Sequence, residues 1–185
     1  MSFYYFWLRS PFSQWYPSRF RALSMFVNEE DIISEHIFDN AEQWMMYNKA
    51  LLFKDFASAK SIIYTNNPKK VKALGRKITN FDEDIWKEHR EEIVYNGTIH
   101  KFTQNANLKK QLLDITQDFV EASPYDTIWG IGLKADDPLA KQESTWKGLN
   151  LLGKILTRVR NEMSFPSFFV LEGFNTTQIT CLPIL

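Results

Sequence analysis

The sequence contains very little cysteine: Cys181 is the only one among 185 residues. A single cysteine excludes a disulfide within the chain and is typical of proteins from a reducing compartment. The three histidines, His36, His89 and His100, show no metal-ligand spacing and have no cysteine partners. We therefore predict no metal site and no bound cofactor.

The sequence also lacks long apolar runs and an excess of charge of either sign. No apolar stretch approaches the roughly 18 residues that a membrane-spanning helix needs. The aromatic segment from Met1 to Trp7 has neither the basic start nor the small-residue cleavage site of a signal peptide. Basic and acidic residues both number 22, whereas a protein that holds duplex nucleic acid through its phosphates is expected to be basic. These absences predict an intracellular, cytoplasmic protein without membrane contact and disfavour stable, nonspecific binding to duplex nucleic acid.

Large apolar side chains, in contrast, are abundant. Hydrophobic residues make up 44% of the chain and aromatic residues 15%. This composition supports a substantial core and argues against disorder. A chain of this length suits one domain, because two halves would each have a thin core. The aromatic residues also suffice to line a pocket, where flat rings stack on bases or sugars.

The spacing of apolar and capping residues predicts a mainly α (α+β) fold, as a single compact multi-helical domain with a small antiparallel β element near the N-terminus. Residues 2–8 are predicted to form a strand that pairs with a second strand at 20–27. Helices are predicted at about 40–53, 55–64, 68–74, 82–95, 107–115 and 150–163, and a short strand at 119–122. Gly97 is expected to end the fourth helix. We assign residues 1–163 to the domain and 164–185 to a C-terminal extension whose structure the pattern leaves open.

The predicted helix at 41–53 is apolar on nearly every side, which is typical of a buried helix. It nevertheless contains Glu42 and Lys49, whose spacing brings them within roughly 20° of the same face. Buried charges are costly unless they are paired or border a wet cleft. These two residues therefore either line a pocket or mark solvent-exposed ends of the helix, and their spacing alone does not decide.

Two other segments combine polar residues with glycine. Residues 121–132 contain Glu121, Asp126, Trp129, Gly130 and Gly132. Such a composition either lets a backbone and an indole ring approach a ligand or forms a tight turn around a core tryptophan. Further along, Gly148 precedes the predicted helix start at Asn150, and a helix N-terminus preceded by glycine is a natural site for pyrophosphate.

Taken together, in this order along the chain, these motifs resemble the NADAR superfamily, whose name stands for NAD- and ADP-ribose-associated. The resemblance covers roughly residues 3–161. Its segments are Ser10-Pro-Phe-Ser13-Gln-Trp15, Glu42-Gln-Trp-Met-Met-Tyr-Asn-Lys49-Ala, Leu74-Gly75-Arg76, Trp86, Lys101-Phe102-Thr-Gln104-Asn105, the loop 121–132 and the segment 146–153. The motif positions show no departure from the family, and the departures lie at 27–38 and after Met163.

The resemblance implies a mainly helical domain with a small β element that cleaves N-glycosidic bonds. One branch of the family removes ADP-ribose from guanine bases in nucleic acid or nucleotides. Another branch hydrolyses ribosylamino intermediates of riboflavin biosynthesis. The family's catalytic glutamate falls on Glu42, and its functional aromatic and acidic positions fall on Trp86, Asp126 and Trp129.

Three residues are expected to carry the chemistry. Cleavage of a sugar C1–N bond builds positive charge on the anomeric carbon, so Glu42 is expected to stabilise that charge, activate water or manage the proton of the ring oxygen. Lys49 has two alternative roles: it holds Glu42 ionised and contacts phosphate, or its amine attacks an opened sugar aldehyde to form a Schiff base. Asp126 is expected to grip ribose hydroxyls or the leaving base.

A second set of residues is expected to bind the ligand. Its members are Ser13, Gln14, Trp86, Trp129, Gly130, Gly132, Gly148 and Asn150. The tryptophans would stack on the ligand or wall the pocket, although Trp86 is equally compatible with a purely core position. The glycines and the helix start would approach the pyrophosphate, and the serine and glutamine would close over the adenosine end. Arg76, which follows Gly75, is either a phosphate clamp or a cation at a helix C-terminus.

Three functions are therefore compatible with the sequence. The leading hypothesis is an ADP-ribosyl-guanine glycohydrolase, because the loops Ser-Pro-Tyr-Asp-x-Ile-Trp-Gly-Ile-Gly and Ser-Pro-Phe-Ser-Gln-Trp resemble that branch more closely. Its partners would be ADP-ribose or ADP-ribosylated guanine, with transient contact to ADP-ribosylated DNA or RNA. The alternatives are an N-glycosidase for a ribosylamino-pyrimidine phosphate and a non-catalytic module that binds ADP-ribose or NAD. An intact Glu42 argues against the last, since a pure binder has little need of a carboxylate near a diphosphate.

Overall fold

Six α-helices, two short 3₁₀ helices and four strands make up residues 2–164, the part of the chain that the computed structural model describes. The strands are β1 (Phe3–Phe6), β2 (Phe20–Leu23), β3 (Glu35–Phe38) and β4 (Asp118–Glu121). The helices are α1 (Ala41–Leu52), α2 (Phe56–Ile63), α3 (Pro68–Gly75), α4 (Glu83–Thr103), α5 (Ala106–Asp114) and α6 (Leu151–Ser164), and the 3₁₀ helices are Pro138–Lys141 and Glu143–Thr145. The predicted mainly α, α+β class is confirmed. Apart from Ser164, the predicted C-terminal extension lies outside the described residues.

The strands form two separate pairs. β1 runs parallel to β4, with Phe6 beside Glu121, and β2 runs antiparallel to β3, with Phe20 beside Phe38. The small antiparallel element near the N-terminus is therefore present. The prediction that the first strand pairs with the second is wrong, because the partners of both lie elsewhere in the chain.

The physical reason for this error is the distance along the chain. Parallel strands need a long crossover connection, and the connection from β1 to β4 contains all of α1 to α5. No local pattern signals such a pairing. In β2 the buried Phe20 and Ala22 alternate with exposed residues, which is typical of a strand with one solvent face but does not identify its partner.

Short polar residues cap the beginnings of four helices. Asn40 caps α1 by accepting a hydrogen bond from the Gln43 amide at 2.9 Å. Asp55, Asn67 and Asp82 cap α2, α3 and α4 in the same way. Short polar side chains at these positions satisfy amide groups that have no partner inside the helix.

Gly97 does not end α4, so that prediction is wrong: the helix continues for six further residues, to Thr103. A Cβ atom at Gly97 would clash with the indole of Trp44. The Trp44 Nε1 donates a hydrogen bond of 2.7 Å to the carbonyl of Ile93, one turn earlier on α4. The glycine therefore gives α1 room to approach α4 closely.

α1 is the central helix of the core. It packs against α2, α3 and α4, and it buries apolar and polar residues alike, including Glu42, Gln43 and Asn48. This burial agrees with the apolar character predicted for nearly every side of the helix. Within residues 2–164, none of the helices combines the length and the apolar character that crossing a membrane requires.

Candidate active site

A cavity of about 510 Å³ opens where β1 and β4 end, beside α1 and α3. Because β1 and β4 are parallel, the loops that follow them leave the same edge of the pair, and ligands commonly bind beyond the carboxyl ends of parallel strands. The lining residues are Trp7, Leu8, Ser13, Gln14, Trp15, Glu42, Met45, Met46, Lys49, Lys72, Gly75, Arg76, Glu121, Ser123, Tyr125, Asp126, Thr127, Ile128, Trp129 and Leu152.

Glu42 lies in the first turn of α1 and is only 3% exposed. Its backbone amide donates a hydrogen bond of 3.0 Å to the carbonyl of Gln14, which ties the loop after β1 to the start of the helix. Its Oε1 is buried and has no hydrogen-bond partner among the described residues. A buried carboxyl oxygen without a partner is rare in native proteins and is retained mostly at functional sites.

Burial raises the pKa of Glu42 to about 7, and the neighbouring Asp126 adds to this effect. Lys72, Trp15 and Arg76 act in the opposite direction and favour the ionised form. The side chain therefore exchanges its proton near neutral pH, which suits a group that takes part in acid–base chemistry.

Glu121, the last residue of β4, is a second carboxyl in the cavity. Its Oε2 is buried and unpartnered within the described part of the chain. Burial raises its pKa to about 8, with Asp126 and Glu42 adding to the effect and Lys72 opposing it. We did not choose this residue from the sequence. The available signal was a carboxylate within the predicted strand 119–122, at the start of the segment 121–132.

Asp126 lines the same cavity but is tied to its own loop. Its Oδ1 accepts hydrogen bonds from the amides of Ile128 at 2.9 Å and Trp129 at 2.8 Å. These bonds fix the turn that carries Trp129 into the lining. Asp126 thus shapes this wall of the cavity and adds negative charge beside the two glutamates.

Lys49 also lines the cavity, two turns of α1 away from Glu42. Its Nζ donates to the carbonyl of Gly75 at 3.1 Å and lies 4.1 Å from the ring centroid of Phe81 and 5.2 Å from that of Trp86. Burial lowers the pKa of the Lys49 amine. None of the ion pairs within residues 2–164 joins it to Glu42, so the two residues share a face and a cavity without direct contact.

Two further cations line the cavity from α3 and its C-terminal end. Lys72 is half-buried, with its Nζ 5.9 Å from the Trp15 ring centroid, and Arg76 is exposed. Lys72 was not chosen from the sequence, and the role of Arg76 was left open between a phosphate clamp and a cation at a helix C-terminus. Their spacing of four residues, which places them on one side of the helix end, was the available signal.

Lys101 supports the loop that follows β1. This lysine of α4 is 2% exposed, and its Nζ donates a hydrogen bond of 2.8 Å to the carbonyl of Ser13. Burial lowers its pKa to about 7. The lysine therefore supports the backbone of the cavity wall and does not reach the cavity itself.

The structure brings six of the predicted site residues together in the lining. They are Ser13, Gln14, Glu42, Lys49, Asp126 and Trp129. The other five, Trp86, Gly130, Gly132, Gly148 and Asn150, lie outside it. Of these, Trp86 is buried behind the Lys49 amine.

The remaining four residues outside the lining shape the loop that carries Asp126. A Cβ atom at Gly130 would lie 2.8 Å from the carbonyl of Glu121, and one at Gly148 would clash with the backbone of Gly130. Gly132 has a φ of +69°, which favours glycine. Asn150 bridges two residues of β4, donating to the Phe119 carbonyl and accepting from the Glu121 amide, each at 3.0 Å.

Comparison with known proteins identifies relatives of similar length. An N-glycosidase of Acanthamoeba polyphaga mimivirus is 44% identical over 152 residues, which cover 82% of this chain and 86% of the relative. The protein irg-1 of Caenorhabditis elegans is 38% identical over 158 residues, 82% of this chain and 74% of the relative. An N-glycosidase of Nostoc punctiforme is 29% identical over 132 residues, 71% of this chain and 78% of the relative. Two of these relatives are named N-glycosidases, which supports an N-glycosidase activity.

The fold is shared with a solved structure. The NMR structure of the Escherichia coli protein YbiA superposes with a TM-score of 0.67 at 19% identity, over 96% of this chain and 92% of YbiA. The sequence model of the NADAR domain matches residues 3–164, nearly the same part of the chain as the resemblance found in the motifs. On this match and on the identity to the relatives, the chain belongs to the NADAR domain family.

Proposed function

We propose that the protein is an N-glycosidase that hydrolyses the bond between ADP-ribose and a guanine base. The observation that carries this proposal is the buried Glu42. Its Oε1 has no hydrogen-bond partner among the described residues, and it lines a cavity that also contains cations and aromatic rings. An oxocarbenium-like transition state needs a carboxylate next to the anomeric carbon. A nucleoside diphosphate linked to a base needs cations and flat rings around it.

The composition of the cavity suits ADP-ribose. Its volume of about 510 Å³ falls within the range of ~300–1,000 Å³ that is usual for small-molecule sites. Lys72 and Arg76 supply positive charge for a diphosphate. Trp7 and Tyr125 form an aromatic pair with ring centroids 6.0 Å apart, and Tyr125 is 85% exposed, so its face is available to a base.

Glu42 is suited to the charge that develops at C1. Near neutral pH its carboxyl is close to its pKa, and positive charge on the sugar favours the ionised form. The carboxylate then stabilises C1 and accepts a proton from the attacking water. The start of α1 favours the same anion, since the N-terminus of a helix carries partial positive charge.

Lys49 retains two roles in the proposal. In the first, its amine contributes positive charge near the phosphates. In the second, the amine adds to C1 of the ring-opened sugar and displaces the amine of the base. The resulting Schiff base between Lys49 and C1 is then hydrolysed by water. Burial lowers the pKa of Lys49, which increases the fraction of neutral, nucleophilic amine. Treatment with borohydride during turnover separates the roles, because only a Schiff base leaves a reduced ADP-ribose adduct on Lys49.

The test is incubation of the protein with ADP-ribosylated guanosine, with chromatographic measurement of free ADP-ribose. We expect release by the wild type and a loss of about 100-fold or more in kcat/KM for Glu42→Gln. Glu91→Gln, an exposed carboxylate on α4, serves as the matched control and should behave like the wild type. The proposal fails if the wild type releases no ADP-ribose, or if Glu42→Gln is as active as the wild type.

Calorimetry with ADP-ribose separates the two remaining hypotheses. A ribosylamino-pyrimidine phosphate has one phosphate and no adenosine, so an enzyme for that substrate would bind ADP-ribose poorly. A non-catalytic module would bind ADP-ribose tightly without any turnover for Glu42→Gln to remove.

A further inference from the structure

Glu121 has no task in the reaction described above, yet it lines the same cavity as Glu42. Its Oε2 is buried without a hydrogen-bond partner in the described part of the chain. Leaving a buried carboxyl oxygen unpaired costs stability. Such a group calls for an explanation, of which a catalytic role is one.

The backbone holds Glu121 firmly in place. Its backbone amide donates a hydrogen bond of 3.0 Å to Asn150 Oδ1, and its carbonyl accepts one of 3.0 Å from the amide of Ile131. The strand partner Phe6 lies beside it in the parallel pair. A catalytic group needs this kind of rigid support, because its reactive atom must be held within a fraction of an ångström.

We propose that Glu121 is the general acid of the reaction. Its carboxyl proton passes to the guanine nitrogen as the C1–N bond breaks, while Glu42 stabilises the positive charge at C1 of the sugar. This inference rests on the proposed function. The electron pair of the C1–N bond goes to the nitrogen, which takes the proton of Glu121. Water supplies hydroxide to C1, and its remaining proton goes to the Glu42 carboxylate and then, through solvent, restores Glu121.

The surroundings of the two carboxyls support this division of labour. Glu42 lies at the start of α1, where the helix favours an anion, and Lys72 is the strongest of the charges that stabilise its ionised form. Glu121 lies at the end of a strand, and Asp126 is the neighbouring charge that acts on it most strongly, in favour of the protonated form. Lys72 and Asp126 act on both carboxyls in the same directions, so the division of labour rests on the helix start beside Glu42, which Glu121 at the end of its strand lacks.

Asp126, the third carboxyl of the cavity, is less suited to the role. Its Oδ1 accepts two backbone amides and so fixes the turn that carries Trp129. The buried Oε2 of Glu121 makes no such structural hydrogen bond within the described part of the chain.

The decisive experiment compares two leaving groups in Glu121→Gln, Glu42→Gln and the wild type. ADP-ribosyl guanosine needs a proton on its leaving nitrogen, whereas an ADP-ribose derivative with p-nitrophenolate at C1 leaves without one. We expect Glu121→Gln to lose about 100-fold or more in kcat/KM on the guanosine conjugate and little on the nitrophenyl derivative. Glu42→Gln should lose activity on both, because both reactions develop charge at C1.

A pH profile on the guanosine conjugate gives a second, independent readout. In the wild type, kcat/KM should fall above about pH 8, where the pKa of Glu121 places the loss of its proton. This basic limb should be absent in Glu121→Gln. In Glu121→Asp, which keeps a carboxyl group, the limb should remain with a shifted midpoint. Calorimetry with ADP-ribose checks that each variant still folds and binds.

The possible outcomes distinguish the two proposals. Equal losses of Glu121→Gln on both leaving groups, or an unchanged basic limb, would overturn the role of Glu121 while leaving the proposed function intact. Failure of the wild type to release ADP-ribose from the guanosine conjugate would overturn the proposed function and with it the assignment of Glu121.

Discussion

Glu42 occupies a position where its ionised form is costly, since its side chain is 3% exposed and one carboxyl oxygen is unpartnered among the described residues. Its pKa is raised from the usual 4.5 to about 7. The folded state therefore binds the proton more tightly than the unfolded state. The resulting contribution to stability is fully present below pH 4.5 and is lost as the pH rises through 7.

A testable consequence is that Glu42→Gln, which resembles the protonated form, should melt at a higher temperature than the wild type at pH 8. The difference should shrink as the pH falls and vanish below pH 4.5, where Glu42 is protonated in both states. Thermal unfolding followed by circular dichroism across this range checks the prediction, with Glu91→Gln as the control. A variant that melts below the wild type at pH 8 would contradict it. Loss of activity with gain of stability is typical of residues kept for function.

Among the elements, α1 and α4 depend on the absence of a side chain at Gly97. Alanine usually stabilises a helix by about 1 kcal/mol relative to glycine. Here a Cβ atom would clash with Trp44, whose indole also donates to Ile93. Overpacking of a core typically costs about 1–3 kcal/mol.

We therefore expect Gly97→Ala to lower the free energy of unfolding in spite of its higher helix propensity. Urea denaturation measures this change. Glu91→Ala, at an exposed position of the same helix, is the control and should have little effect. If Gly97→Ala proved more stable than the wild type, the close approach of the two helices would not be set by this residue.

α3 and its flanks carry an unusual amount of unpaired positive charge. Residues 67–77 contain five basic and no acidic residues, and none of these cations takes part in an ion pair within residues 2–164. Lys72 and Arg76 line the cavity, whereas Lys69 and Lys70 are exposed outside it. Such a ridge of charge next to a cavity is suited to the phosphates of a strand that continues from the bound base.

The double variant Lys69→Ala, Lys70→Ala tests whether the substrate is a nucleic acid strand or a free nucleotide. If the substrate is a nucleic acid, kcat/KM should fall several-fold on an ADP-ribosylated single-stranded oligonucleotide at low salt. It should not change on ADP-ribosyl guanosine, which has no flanking phosphates. An equal effect on both substrates, or none on either, would argue against recognition of a strand by α3.

Local signals predicted the elements that depend on local contacts. The starts of α1 and α4 and the apolar burial of α1 follow from residues that are neighbours in sequence. Gly97 was misjudged because a glycine that ends a helix and a glycine that admits a neighbouring helix look the same in one sequence. The pairing of β1 with β4 was missed because strand partners are not encoded by the strands alone.

The same distinction applies to the site. Glu42 stood out because it is a charge in an apolar helix, and the family motifs strengthened that prediction. Glu121 and Lys72 follow ordinary local patterns, and only the tertiary fold brings them to Glu42. Gly148 and Asn150 were expected at a ligand because they precede a helix, but the structure uses them to pack the loop against β4.

For the molecule as a whole, every described residue that lines the cavity lies between Trp7 and Leu152. The described part of α6 covers Leu151–Ser164. We therefore expect a chain truncated after Ser164 to keep the turnover and the ADP-ribose affinity of the full chain. Kinetics and calorimetry on both chains test this. A large loss of turnover with an unchanged melting temperature would assign residues 165–185 a part in the reaction.

The parallel pairing of β1 with β4 also determines at what point during synthesis the cavity can form. The ribosome releases β1 and α1 long before the chain reaches Asp118–Glu121. A nascent chain up to that point presents an aromatic strand with an unpaired edge, which invites pairing with other chains. Such a nascent chain contains Glu42 but not yet Glu121, so the cavity cannot be completed until synthesis has passed β4. The cavity lining is therefore complete only after the chain has been synthesised past Leu152, and a fragment that ends before β4 lacks Glu121.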